Sequence, residues 1–379
     1  MPTPTGRMPV RVNDLLSIQI FPKSTHTPIH SETMRYLLSF IRLIAAFVLL
    51  ASVARAEHLE VEPGEDRVTV KVDGKLFAVY LTESETRPAV WPILGPTGKE
   101  MTRAFPHRPA SEGQRSDHPW HRSVWFAHSD VNGTDFWHEG RGGGIVKHQK
   151  FLQVKGGKQA VIVAANDWIN SDDERECSDI RSLTFGADQY TRWIDFDITI
   201  LAIDKDVVFG DSKNGCLGVR AATAMKVDAE SDGRIVNNLG DVNKETWGKK
   251  ASWVDYQGLI ADEALGIAVF NHQNSFRFPT YWHVRTYGLC AANPFGVRAF
   301  ENSDDFDGSF TLSKGDTISL FYRIILHTGD DDEANIHQRF LRYAKLDKTS
   351  LASVTADERL ERASGQSGSP AAADKTASK

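Results

Sequence analysis

The sequence predicts an all-β protein, one large antiparallel β-sandwich with a single C-terminal helix. Three observations carry that expectation. Apolar and polar residues alternate with a period of two in stretch after stretch between His58 and Leu326, the pattern of strands with one buried face. Turn pairs such as Asp73-Gly74, Asn132-Gly133, Asp232-Gly233 and Asp307-Gly308 separate those stretches, at intervals too short for the crossover helices of a parallel sheet. Apolar runs after Ala56 seldom reach helical length, while 20 Phe, 9 Trp and 29 Gly suit a β domain rich in turns.

In chain order, Leu59 to Glu62 and then Arg67 to Leu81 supply a strand and a hairpin. The hairpin folds about Asp73-Gly74, a pair that favours a two-residue loop. Strand patterns return at Ser123–His128, Gln159–Ala165, Tyr190–Ile203, Gly215–Val227, Gly266–Phe270 and Ser309–Leu326. Near the end, Asp330 to Glu333 suit a helix start, and Ile336, Phe340 and Tyr343 fall on one helical face. Residues 57–348 form the expected single domain. Residues 349–379, rich in Ala, Ser, Lys and Gly, read as a disordered tail.

Two segments precede that domain. Residues 1–33 are polar, contain Pro and an internal Met8, and read as an extension ahead of a working start at Met34. Residues 34–56 read as a signal peptide: Arg35 and Arg42 form the basic region, Leu43 to Val53 the apolar one, and Ala54-Arg55-Ala56 the cleavage site. That apolar run is shorter than the roughly 20 residues of a membrane span. The expected protein is therefore periplasmic or secreted, begins near Glu57 and keeps no span after cleavage. With 44 Lys+Arg against 50 Asp+Glu and a net charge of -6, it lacks the basic excess of a nucleic-acid binder. Cys177, Cys216 and Cys290 permit one disulfide and leave one thiol over, with no CxxC pair to suggest a metal or redox site.

Histidines concentrate where chemistry is expected. His107, His118, His121, His128, His138 and His148 share one segment, and none then appears until His272 and His283. In Asp117-His-Pro-Trp-His-Arg-Ser-Val-Trp-Phe-Ala-His128, Pro119 disfavours a helix and pushes His118 toward an extended backbone. Ser123 to His128 then reads as a strand with Trp125 on one face and His128 on the other. His118 and His121 would meet where a loop enters that strand, as an acid–base pair or as ligands of a divalent metal. Asp117 would then orient a ring. No HxH or HExxH spacing strengthens the metal.

The second cluster, Phe278-Pro-Thr-Tyr-Trp-His-Val-Arg-Thr-Tyr-Gly288, places Tyr281, His283, Arg285 and Tyr287 on one strand face and Trp282 and Val284 on the other. Tyr, His and Arg side by side can stack on a sugar, bond its hydroxyls and hold a carboxylate. The plainer alternative is a solvent face without a ligand. Walker, GxGxxG and GxSxG motifs are absent. Asp117, Asp135, Glu139 and Asp255 remain unranked as acid–base carboxylates.

These residues also carry a resemblance. Arg87 to Gly98, Asp117 to Trp137, Trp253 to Gly258, Pro279 to Gly288 and Ala292-Asn-Pro-Phe-Gly296 resemble the DUF6807 family across nearly all of residues 60–345. Its members are often labelled methane oxygenase PmoA or PmoA-like, and occur in bacteria rich in secreted sugar-degrading systems. The resemblance implies a β-supersandwich similar to galactose mutarotase, with the two histidine motifs lining a concave sheet face. The family's usual DHPHH pattern carries Trp120 at its fourth position here, which removes one potential metal ligand. An integral-membrane oxygenase subunit would also need several apolar spans, and nothing after Ala56 is long enough.

The expectation is a protein that acts on or binds carbohydrate, or another small molecule, as an epimerase, lyase or hydrolase. His118, His121 and His283 would position or protonate the substrate. Asp117, Arg122, Trp125, His128, Tyr281, Trp282, Arg285 and Asn293 would bind it, with Trp125 or Trp282 as a stacking surface. A non-catalytic glycan-binding module and a metal-dependent oxidase, its metal on His118 and His121, are the alternatives.

Overall fold

The computed structural model describes residues 58–353 except 111–113, 141 and 229–230. The expected extension, the signal peptide and the tail from residue 354 lie outside the described residues. Two eight-stranded sheets dominate. The first runs in the order β1 (Leu59–Pro63), β2 (Arg67–Val72), β3 (Lys75–Ser84), β4 (Arg87–Ile93), β5 (Val124–His128), β11 (Gly215–Arg220), β16 (Leu289–Asn293), β15 (Tyr281–Arg285). The second runs β12 (Arg234–Asn237), β13 (Trp253–Ile260), β14 (Glu263–Asn271), β18 (Thr317–Thr328), β9 (Thr191–Leu201), β8 (Arg175–Ala187), β7 (Ala160–Ile169), β6 (Ile145–Lys155). A small ribbon joins β10 (Val207–Phe209) to β17 (Phe310–Leu312). Every named pairing is antiparallel.

The alternation explains the layers. Asp73 and Gly74 both take positive φ, 47° and 76°, and close the β2–β3 hairpin, as a primed two-residue turn requires. Inward side chains of the two sheets then meet. Phe77 lies edge-on to Phe185 at 5.6 Å, and Phe126 contacts Trp168 at 6.1 Å and Phe196 at 6.3 Å. Each such buried ring contributes roughly 1.5–3 kcal/mol. Because Phe126 points into the sandwich, its neighbour Trp125 must point outward.

Helix α2 (Ile336–Tyr343) buries Ile336, Phe340 and Tyr343, against Val236, Trp253, Ala268, Phe270 and Ile325 on the outer face of the second sheet. It is not capped by the Asp330 to Glu333 run. The Asp330 carboxylate accepts N–H groups of Asp332 and Glu333 in the preceding turn, and left-handed Asn335 opens the helix. A second helix, α1 (Val297–Glu301), was not expected from the sequence. Its five residues are too few to show a helical period. The three cysteines are buried and unbridged. No helix of the described residues is long and apolar enough to cross a membrane.

Candidate functional site

The outward face over β5, β11, β16 and β15 carries a cavity, and its first wall is a tight turn. His118 C=O accepts the His121 N–H at 3.0 Å, with Pro119 second in the turn, the position its fixed φ favours. Buried Arg103 holds the turn from below, donating to Asp117 Oδ1 and the His118 carbonyl at 2.8 Å each and to the Phe105 carbonyl at 3.1 Å. His118 therefore has φ 45° rather than an extended backbone, because a chain clamped at two successive residues must bend. The bend stacks the His118 and His121 rings, 4.9 Å apart and 10° from parallel.

That pair belongs to a column of rings. Trp125 lies beneath His121 at 5.2 Å, and Tyr287 stacks on His118 at 5.1 Å. Trp125 rests over Gly218, its cross-strand neighbour on β11, where a Cβ would come within 2.4 Å of the indole. The column needs a glycine there.

Charge then fixes protons. Arg220 Nη1 lies 2.9 Å from His121 Nδ1. A guanidinium only donates, so Nδ1 accepts and the His121 proton sits on Nε2. Burial, reinforced by Arg220, holds His121 well below the usual imidazole range. On β15, His283 Nδ1 donates to the Lys213 carbonyl at 2.9 Å and Nε2 accepts from Arg285 Nε at 3.3 Å. Burial and then the Arg285 charge push His283 down to about 3. Both imidazoles are neutral at ordinary pH.

The loop after β5 supplies a fourth imidazole. His138 Nδ1 donates to Asp135 Oδ2 at 2.8 Å, while Asp135 Oδ1 accepts the Trp137 and His138 backbone N–H groups at 2.8 and 3.0 Å. Burial would raise the Asp135 carboxyl, but these hydrogen bonds outweigh it and hold it below the usual range. Beneath the loop, buried Arg87 donates to the Phe136 and Trp137 carbonyls and pairs with Glu139, which Arg122 also grips with two bonds of 2.7 Å. That cluster sets the height of His138 in the wall.

The cavity so formed measures about 410 Å³. His118, His121, His138 and His283 line it, with Lys213 and Arg285 as cations and Trp120 and Tyr287 as aromatic wall. No carboxylate is among the described lining residues. Asp117 stands behind, between Arg103 and Arg220.

Of the residues expected from sequence, the structure brings His118, His121, His283 and Arg285 together in the cavity, with Asp117 and Trp125 supporting them. Others stand elsewhere. Trp125 cannot stack on a ligand, since it is fully buried under His121. Trp282 faces the sandwich interior, its Nε1 donating to the Ala251 carbonyl. His128 is on the inner side of β5, bonded to the Gly210 carbonyl among Phe209 and Phe295. Arg122 is spent on Glu139. Buried Asn293 ties the Ser212 carbonyl to the Phe295 N–H. Tyr281 sits at the far end of β15, bonded to Glu301 beside Lys250. Asp255 lies in the second sheet, paired with His327.

His138, Trp120, Tyr287, Lys213 and Arg220 were not selected from sequence. Asp135 at three residues before His138, and Tyr287 on the alternating face, were legible signals. Lys213 and Arg220 had none.

A metal does not fit His118 and His121. Stacked rings do not converge their in-plane nitrogens on one point, and Arg220 already occupies the His121 lone pair. A divalent cation there would also meet the Arg103 and Arg220 guanidiniums. Among the described residues, no three His, Cys, Asp or Glu side chains are grouped to hold a metal ion.

A model of the DUF6807 family, described as a family of unknown function, matches residues 67–341. No curated protein matches the sequence. Among solved structures, the backbone is similar to a galactose mutarotase-like protein from Lactobacillus casei, at 10% identity and TM-score 0.35 over 71% of this chain and 100% of that one. It is similar to the Slr1438 protein from Synechocystis, at 11% identity and TM-score 0.31 over 72% of this chain and 95% of that one. It is also similar to the alpha-galactosidase from Lactobacillus brevis, at 9% identity and TM-score 0.32, over 73% of this chain and 40% of that one.

Proposed function

The chain belongs to DUF6807, a family of unknown function, and from its cavity we propose that it binds a sugar carrying an acid group and moves a proton on it. One observation carries the reading: among the described residues, four imidazoles, Lys213 and Arg285 line the cavity and no carboxylate does. A surplus of positive charge in the cavity wall, from exposed Lys213 and half-buried Arg285, favours an anionic ligand, and a guanidinium matches a carboxylate with two parallel bonds. Trp120 and the edge of Tyr287 offer apolar surface to a ring's C–H groups. The volume of about 410 Å³ falls within the usual range of small-molecule sites.

Proton transfer falls to His138. Asp135 holds the proton of the neutral ring on Nδ1, leaving the lone pair on Nε2, and would stabilise the imidazolium once formed. The C–H bond next to the ligand's carboxylate breaks, its proton passes to His138 Nε2, and the electron pair spreads into the carboxylate held by Arg285. A proton delivered from water to the other face, while His138 gives its own proton to solvent, yields epimerisation; in elimination the electron pair moves into a new C=C as the neighbouring C–O bond breaks, and the departing oxygen takes the proton held on His138. His283 is a positioning residue, its Nε2 accepting from Arg285.

A glycan-binding module without turnover is the second reading. What favours it is that Arg220 and Arg285 already occupy the His121 and His283 lone pairs. Incubation of the protein with a uronate in D2O separates the two. The expected result is deuterium uptake next to the carboxylate, reduced about 10²–10⁴-fold in His138→Ala with binding retained. Binding with neither uptake nor product makes the module reading correct, and no binding removes both. The same proposal places the protein in the periplasm or outside the cell, supported by the leader-like residues 34–56. N-terminal sequencing of the exported chain, expected to begin near Glu57, checks it.

A further inference from the structure

A second cavity of about 330 Å³ adjoins the first, and Thr286 and Tyr287 line both. Its charge is also unbalanced. Arg103, Arg115, Arg220 and Lys226 line it against Asp117 and Asp228. Both carboxylates are engaged: Asp117 with Arg103 and Arg220, and Asp228 with Lys226 at 2.8 Å. The Arg220 Nε is buried without a hydrogen-bond partner, which is costly unless something else satisfies it. Arg220 reaches both chambers, bonding His121 behind the first cavity and lying 4.6 Å over Tyr287 at the border of the second.

We infer that the second cavity is a subsite continuous with the first, and that the ligand is an acidic oligosaccharide lying across Thr286 and Tyr287 rather than a single sugar acid. The inference rests on reading the first cavity as a sugar-acid site. Two cation-rich chambers that share a wall suit a ligand with an acid group on successive units. Arg115, exposed at the rim, and Lys226 would meet the carboxylate of the second unit, while Arg285 meets that of the first. A single monosaccharide would leave the second surplus unmatched.

Calorimetry with galacturonate and with its α-linked tetramer, at one ionic strength, tests this. The wild-type protein should bind the tetramer at least tenfold more tightly than the monomer, and full methyl esterification of the tetramer should remove that advantage. In the Arg115→Ala/Lys226→Ala double variant the ratio of the two Kd values should fall toward one. Both side chains are at the surface, so melting temperature should hold, and Arg115→Glu alone repeats the test should the double variant unfold. Equal wild-type affinities, or an advantage that survives in the variants, would overturn the second subsite while leaving the first intact. Failure of both probes to bind would remove the sugar-acid reading and the subsite with it.

Discussion

Two Asp–His pairs in this protein use the same side chains for opposite ends. In the second sheet, His327 Nε2 lies 3.0 Å from Asp255 Oδ1, and both side chains are 0% exposed. In the cavity wall, His138 Nδ1 lies 2.8 Å from Asp135 Oδ2, with 16% and 30% of the side chains exposed. His327 has acceptors on both nitrogens, the Asp255 carboxylate and, at 3.3 Å, the Thr328 carbonyl. Burial alone would lower it, but Asp255 outweighs burial and raises its pKa, so the sealed pair favours the protonated ring more than water does. His138 has an acceptor on Nδ1 and lines the cavity. An imidazole–carboxylate pair is available for chemistry only where its second nitrogen meets a space rather than a second acceptor.

The largest expected effect breaks the pairs one at a time. Asp255→Asn removes the carboxylate that the buried His327 ring bonds and should cost roughly 3–5 kcal/mol in denaturant unfolding. Asp135→Asn, in a half-open wall, should cost about 1 kcal/mol while abolishing most of the proton transfer. Equal stability losses would end the distinction. Next comes His138→Ala, for which proton exchange should drop about 10²–10⁴-fold with the melting temperature nearly kept. A variant that instead unfolds would return His138 to a structural role like that of His327. Gly266→Ala sharpens the sealed side. A Cβ at 266 would lie 2.1 Å from His327 Nε2, so the ring must shift, and overpacking of this kind costs about 1–3 kcal/mol. Wild-type stability in Gly266→Ala would mean that the pair is not tightly enclosed.

The same contrast marks how far the sequence could be read. Antiparallel strands were legible because alternation and the Asp73-Gly74 turn are local signals. Strand order was less so, since β18 pairs with β9 across more than a hundred residues, Thr317 opposite Leu201, and nothing local announces it. In the site, His118 and His121 stood out through their proline, and His283 and Arg285 through alternation. Trp125 shows what periodicity omits: it identifies the face a side chain occupies and not what lies on top, here His121. Arg220 reaches His121 from 99 residues away, and in sequence it is one more polar residue inside a strand pattern. Asp135 and His138 were both visible, three residues apart. Asp255 and His327, 72 apart, were not recognisable as a pair, so the four carboxylates could not be ranked.

The last contrast is a pH dependence, and it should carry opposite signs in the two regions. His283 and His128, on either side of the first sheet, are pushed by burial from 6.5 to about 3 and about 4. Below pH 6.5 the unfolded chain takes up protons that these folded rings refuse. Stability present above that pH is therefore lost as pH falls, down to about 4 for His128 and about 3 for His283, with a slope of about 1.4 kcal/mol per pH unit for each group. His327 runs the other way: its pKa is raised, so its contribution is complete below 6.5 and is lost as pH rises through the folded value. His107, lowered by burial to about 4, and His121, lowered well below 6.5, add to the same acid limb, while Asp197, which faces Lys348, Asp195 and Arg323, is raised by burial to about 6 and so gains stability as pH falls between about 6 and 3.8, offsetting one of these protons. Unfolding measured from pH 4 to 6.5 should thus show a net loss of stability toward acid, the lowered histidines outnumbering Asp197. In His128→Gln, where Nε2 can still reach the Gly210 carbonyl, the limb should flatten by one proton. A limb of unchanged slope in that variant would mean that His128 is protonated in the folded state, and that the inner face of β5 holds a charge.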